Sequence, residues 1–206
     1  GYQDLYLVNG YISADPKSAY WGDYSRVMGG NNLIIVDAKN WPTVGNKSLA
    51  GYEAKRLWIN DGTGRFSEVA QAVGASDRYD GRAVAVADLG GDGAMDILVA
   101  NQKGPLLLYK NRVAPGNQWV SVALEGVKSN RSAIGATVTA YFAGQKQTQV
   151  ITGGIGFCAQ NQRPLHFGLG KDGKLEKLEI RWPSGGIQTL NGAALAPNQI
   201  HRVKES

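Results

Sequence analysis

The sequence predicts an all-β protein made of two successive β parts. Three observations support this. Short apolar runs recur along the whole chain, each bounded by Gly, Asn, Asp or Pro, the pattern of strands separated by turns. Glycine makes up 28 of 206 residues and falls repeatedly in pairs: Gly29-Gly30, Gly90-Gly91, Gly153-Gly154 and Gly185-Gly186. Such pairs mark turns. Finally, the chain repeats itself. In "GYQDLYLVNG" the residues Gly1, Asp4 and Asn9 align with Gly93, Asp96 and Asn101 of "GAMDILVANQ".

In chain order, strands are expected at "DLYLVN", "NLIIVDA", "RLWIN", "RAVAVAD", "DILVAN" and "PLLLYKN". They continue at "QWVSVAL", "ATVTAYF", "QTQVITG", "PLHFGLG", "KLEKLEIRW" and "GIQTL". Only residues 17–30, "KSAYWGDYSRVMGG", have a helical look. In both copies of the repeat, a strand ending in Asn is followed by an apolar strand that also ends in Asn, Asn60 in the first and Asn111 in the second. The second copy joins them by "QKGP"; the first needs residues 10–55. An insertion that long is expected to be an ordered functional loop or a small subdomain. The composition shifts near residue 112, where "RVAPGN" reads as a linker. The expected division is therefore residues 1–112, with an insertion at 11–55, and residues 113–206, a separate β domain of six or seven strands.

The net charge is +5. No basic cluster exceeds the adjacent pair Lys55-Arg56, which argues against nucleic acid, whose binders concentrate their charge. No apolar run is long enough to span a membrane. Cys158 is the single cysteine, so no intrachain disulfide forms. Its setting, "GFCAQ", predicts a buried, inert thiol.

Chemistry concentrates in "DLGGDGAMD", which puts carboxylates at Asp88, Asp92 and Asp96 with Gly93 after the middle one. Hard cations such as Ca²⁺ take roughly 6–8 oxygen ligands from tight loops, and the carbonyl of Ala94 is a further donor. The loop lies between two strong strands, with no flanking helices. Gly90 stands where such loops usually carry a third-position ligand. The alternative is that the aspartates cap a tight turn by accepting backbone amides.

Here the resemblance becomes specific. "ADLGGDGAMDILVAN" resembles an FG-GAP (VCBS-type) repeat, the blade unit of integrin-α-like β-propellers, and "RLWINDGTGRFSEVA" resembles the adjoining blade segment. "SNRSAIGATVTAY", "GGIGFCAQNQRPLHFGLG" and "LEIRWPSGGIQTL" resemble the ASPIC/UnbV domain. The combination is that of the cartilage acidic protein family. It implies a partial β-propeller of FG-GAP blades followed by a small β-sandwich or barrel-like domain. It further implies a secreted, cell-surface or periplasmic location and a non-enzymatic adhesion or binding role. Metal positions carry over to Asp88, Asp92 and Asp96 with the Ala94 carbonyl; Asp4 matches only the last position of a preceding loop. A propeller has ~4–8 blades, and the first repeat starts midway. The chain is thus expected either to continue a missing N-terminal propeller part or to complete its sheet with another copy. Severed blade edges invite such pairing.

Other signals are discounted. "GLGKDG" fits a dinucleotide fingerprint, but a strand follows it rather than a helix, and "KDGK" reads as a hairpin turn. His166 alternates with Leu165 and Phe167 and reads as a packed strand histidine. Asn46 and Asn130 fit glycosylation sequons. Trp58, Trp119 and Trp182 fall in strands. Trp21 and Trp41, in the insertion, are the candidates for contacting a protein or glycan ligand.

Overall fold

The structure, a computed structural model, describes residues 2–29, 36–112, 116–171 and 173–206. It is all-β with one α-helix among the described residues, and it divides into two compact units. One comprises Tyr2–Val84 and Leu98–Leu108; the other comprises Ala85–Ile97 and Tyr109–Ser206.

In the first unit, β1 (Leu5–Leu7) pairs antiparallel with β4 (Arg56–Asn60), which pairs with β5 (Phe66–Glu68). This is a three-stranded, blade-type sheet with Leu5 opposite Trp58 and Leu7 opposite Arg56. The insertion between β1 and β4 is ordered where described. It holds β2 (Asp15–Ala19), parallel to β3 (Lys47–Ser48), and the helix α1 (Trp21–Met28). Asp23 in the first turn and Arg26 in the last complement the helix dipole. Tyr20, 1% exposed, anchors the insertion and donates its hydroxyl to the Pro42 carbonyl at 2.6 Å. The expected "NLIIVDA" strand lies largely outside the described residues, as does part of the "RVAPGN" linker. A second blade-type sheet has the order β6 (Asp80–Ala87), β7 (Asp96–Gln102), β8 (Leu107–Tyr109), its residues shared between the units.

The second unit adds a two-sheet sandwich of seven strands among the described residues. One sheet is β11 (Gln145–Val150), β10 (Thr137–Phe142), β13 (Leu175–Arg181), β14 (Ile187–Asn191). The other is β12 (Leu165–Gly170), β9 (Gln118–Glu125), β15 (Gln199–Lys204). Strict alternation sends Val138, Ala140 and Phe142 inward from β10, and Leu165, Phe167 and Leu169 inward from β12. Val120, Val122, Leu178, Ile180 and Trp182 join them in the core. β15 runs parallel to β9; the other sandwich pairings are antiparallel.

Two expectations are corrected. β12 and β13 belong to different sheets, so "KDGK" joins sheets rather than forming a hairpin; Asp172 itself lies outside the described residues. Cys158 is exposed, not buried. It sits at positive φ (50°) in a tight loop closed by Ile155 N–H donating to the Ala159 carbonyl. A chain reversal there turns the side chain away from the core.

Candidate functional site

The repeat seen in the sequence recurs as identical hydrogen bonds. Asp4 Oδ1 accepts the Asn60 amide at 2.9 Å, and Asp96 Oδ1 accepts the Asn111 amide at 2.8 Å. Asn9 Nδ2 donates to the Ala54 carbonyl at 2.7 Å, and Asn101 Nδ2 to the Pro105 carbonyl at 2.8 Å. In each copy the strand's Asp and Asn pin both ends of the strand that follows. Asp4 and Asp96 therefore have matching structural duties, one on an exposed blade and one fully buried.

The 88–96 loop folds around Asp88. Its Oδ1 accepts the amides of Gly91 (2.7 Å) and Asp92 (3.2 Å), and its Oδ2 accepts that of Gly93 (2.9 Å). Asp92 Oδ1 accepts the Ala94 amide at 3.1 Å. Gly93 (φ +82°) lies against the Trp119 indole, where a Cβ would come within 2.0 Å of Cδ1. Calcium asks for roughly 6–8 oxygens. Among the described residues no three His, Cys, Asp or Glu side chains group closely enough to hold a metal ion. In this geometry the carboxylates act on backbone amides, the arrangement of a self-capped turn, and no ligand shell is assigned to them or to the Ala94 carbonyl.

Sequence reasoning missed what holds this loop. Gln162 Oε1 accepts the Asp88 amide at 2.8 Å, its backbone N–H donates to the Val86 carbonyl, and Asn161 Oδ1 accepts the Val86 amide at 2.9 Å. These two residues, inside "GFCAQNQRP", tie the end of β6 to the loop that precedes β12. His166, directly opposite Ser121 on β9, places Nδ1 3.0 Å from Ser121 Oγ and its ring 5.3 Å from that of Trp119. Burial lowers its pKa, and the charge of Asp88 partly offsets this.

In the other unit, the two ligand candidates converge. Trp21 stands edge-on to Tyr24 at 5.9 Å and 77°, and Tyr24 edge-on to Trp41 at 5.7 Å and 85°. Tyr20 backs Tyr24 at 6.1 Å. Both indoles remain open, Trp21 at 49% and Trp41 at 42% exposure. Asp23 lies between Lys47, which donates to it, and Arg26 at 3.9 Å. The hydrogen bond and charge of Lys47 hold the Asp23 pKa below its ordinary value. The result is an exposed aromatic platform beside a group of charged side chains. Tyr24 went unnoticed in the sequence; its signal was the three-residue offset from Trp21, which puts both on one helix face.

Residues 126–206 match the family model described as ASPIC and UnbV, and residues 48–99 that of the FG-GAP-like repeat. Cartilage acidic protein 1 of Xenopus tropicalis is 34% identical over 136 residues, 63% of this chain and 20% of the relative. The Homo sapiens protein of the same name is 28% identical over 122 residues, 57% of this chain and 18% of its own length. The chain spans about a fifth of the length of these relatives.

Proposed function

We propose that this chain, which joins an FG-GAP-like repeat to an ASPIC/UnbV domain and is homologous to cartilage acidic protein 1, is a non-catalytic extracellular adhesion or ligand-binding module. The observation that carries the reading is the convergence of Trp21, Tyr24 and Trp41 on the insertion. Exposed, rigid aromatic rings give large contact area at little entropic cost, and polar neighbours supply hydrogen bonds to the same ligand. The ligand class that suits such a surface is a glycan, stacked on the indoles and bonded by Asp23, Arg26 or Lys47. The non-catalytic part is supported by Ser121, 2% exposed and paired to His166 as a cross-strand contact, out of reach of a substrate. A glycan array read with the parent chain and with Trp21→Ala and Trp41→Ala tests the proposal. Signals lost in both variants support it; signals unchanged in both, or no signal at all, sink the glycan reading.

A second reading is self-assembly through blade edges. It is favoured by β1, an edge strand that exposes Leu5 and Leu7 on one side of the sheet. Sedimentation over a concentration series with the parent and Leu5→Lys/Leu7→Lys decides it. A size that grows with concentration only in the parent supports assembly; an unchanging monomer removes it.

A further inference from the structure

The second unit carries a cleft that the readings above do not use. It has a volume of about 330 Å³ and opens beside the end of β9. That is at the lower end of the ~300–1,000 Å³ typical of small-molecule pockets. Its walls bring together Arg131, Arg163 and Arg202, from three stretches of chain far apart in sequence. The one carboxylate among the lining residues is Glu125. Leu124, Ile151 and Pro164 supply an apolar floor.

The three guanidinium groups are not used up by the protein. Arg131 meets Glu125 at 3.9 Å with side chains 90% and 52% exposed, a loose pair of little energetic weight. Arg163 donates from Nη1 to Ser132 Oγ at 3.1 Å, one of its five donors, which aims the rest of the fork. Arg202 lies in register with Ala123, a lining residue, and forms no ion pair among the described residues. Three like charges gathered around one concavity repel one another, and an anion between them relieves that repulsion. Arginine is also the side chain whose planar fork matches tetrahedral and carboxylate oxyanions. A bare inorganic ion would leave the apolar floor uncovered; a ring carrying the anion would cover it.

We infer that this cleft binds a tetrahedral oxyanion ester, sulfate or phosphate, carried on a sugar-sized ring. The inference does not depend on the aromatic platform, which belongs to the other unit. It is tested by titration calorimetry of the whole chain with three probes: a sulfated heparin-derived disaccharide, its desulfated form, and inositol trisphosphate. Binding of at least one ester, with no binding of the desulfated sugar, is expected. Arg163→Ala should weaken it about tenfold or more, as should Arg131→Ala/Arg202→Ala, since charge-assisted, bidentate hydrogen bonds are the strong ones. Arg163→Lys should recover little, because a lysine keeps the charge and loses the fork. Lys146→Ala, an equal loss of charge on β11, should change affinity less than about twofold, within the scatter of ordinary surface substitutions. Preference for one ester names the source. The inference is overturned by no binding of either ester, or by equal losses in Lys146→Ala and Arg163→Ala. Trp21→Ala should leave these titrations unchanged, so failure of the glycan platform and failure of this cleft are read separately.

Discussion

Asp96 accepts the backbone amide of Asn111 at 2.8 Å, and Asp4 repeats the bond with Asn60 ninety-two residues earlier. The two copies differ in burial: Asp96 is 1% exposed, whereas Asp4 is exposed. The carboxylate, not the amide, makes the difference: a hydrogen bond to a carboxylate screened from water is electrostatically stronger than one to a carboxylate in solvent. Asp96→Ala should therefore cost about 1–3 kcal/mol of stability, and Asp4→Ala clearly less. Equal denaturation midpoints for the two variants would show that the shared hydrogen bond carries no burial-dependent weight.

Gly93 and Trp119 form a second dependence. A Cβ at residue 93 would need both a positive φ and space that the indole fills. Gly93→Ala should destabilise by about 1–3 kcal/mol through strain and overpacking. In a Trp119→Ala background the clash disappears and only the backbone strain remains, so the cost should shrink. A double-mutant cycle with no coupling would mean that the loop and the indole adjust independently.

Most strands were legible in the sequence as apolar runs between turns, and the clearest were those with a buried face. β10, β12 and β13 alternate cleanly because one side of each meets the sandwich core, whereas β9 is a continuous buried run from Trp119 to Val122. β2, "DPKSA", has no such face, and its partner β3 is two residues long. β5 is exposed at all three positions, and β15 buries little beyond Val203. Such strands exist because a neighbour offers free backbone groups, which no periodicity announces. The same limit governs the sites. Trp21 and Trp41 stood out by residue type, but the bracketing of Tyr24 needs the fold. Arg131, Arg163 and Arg202 are ordinary surface arginines until three chain segments meet. Lys55 stood in the sequence only as half of an adjacent basic pair, and it is fully buried.

Calcium separates the two readings of the 88–96 loop. Asp88 and Asp92 accept backbone amides in the loop; where that capping is their whole role, thermal unfolding is the same in Ca²⁺ and in EGTA. An ion held only by the native state adds ~2.7 kcal/mol at a hundredfold excess over its dissociation constant. A calcium-dependent shift of that kind, absent in Asp92→Ala, would show that the loop rearranges to exchange amide partners for a cation.

Acid should act on the second unit in two stages. Burial lowers the His166 pKa from its ordinary 6.5, so the unfolded chain binds the proton more readily. That stability is complete above pH 6.5 and begins to fall as the pH drops below it. Glu205 acts lower down. Burial would raise its pKa, but the Ser129 amide, the Ser184 hydroxyl, the Val127 amide and the Ser129 hydroxyl outweigh it and hold the group at about 2. Its contribution is complete above its ordinary 4.5 and is lost as the pH falls through about 2. Unfolding midpoints measured across pH should lose the lower stage in Glu205→Gln and the upper one in His166→Phe. A Glu205→Gln chain with the parent's slope below pH 4.5 would contradict the assignment.

Lys55 gives the sharpest test of the first unit. Its side chain is fully buried, with Nζ donating to the Tyr79 carbonyl and lying 3.3 Å from Asp77 Oδ1. The Asp77 side chain is itself only 12% exposed. Removing one partner of a buried pair leaves the other charge uncompensated, at about 3–5 kcal/mol, whereas replacing the pair with apolar groups of similar volume is often neutral. Lys55→Ala should therefore unfold the unit or lower its midpoint severely. Lys55→Met keeps the packed stem beside Gly81 but takes the ammonium from Asp77, whose Oδ1 keeps only neutral donors such as the Tyr79 amide, and Lys55→Met/Asp77→Leu should recover much of the loss. Hydrogen exchange of the β4 amides reads this unit separately from the sandwich. A double variant as weak as Lys55→Ala would mean that the ammonium is needed for the Tyr79 carbonyl rather than for the carboxylate. It would move the energetic weight of the site from the ion pair to the backbone bond.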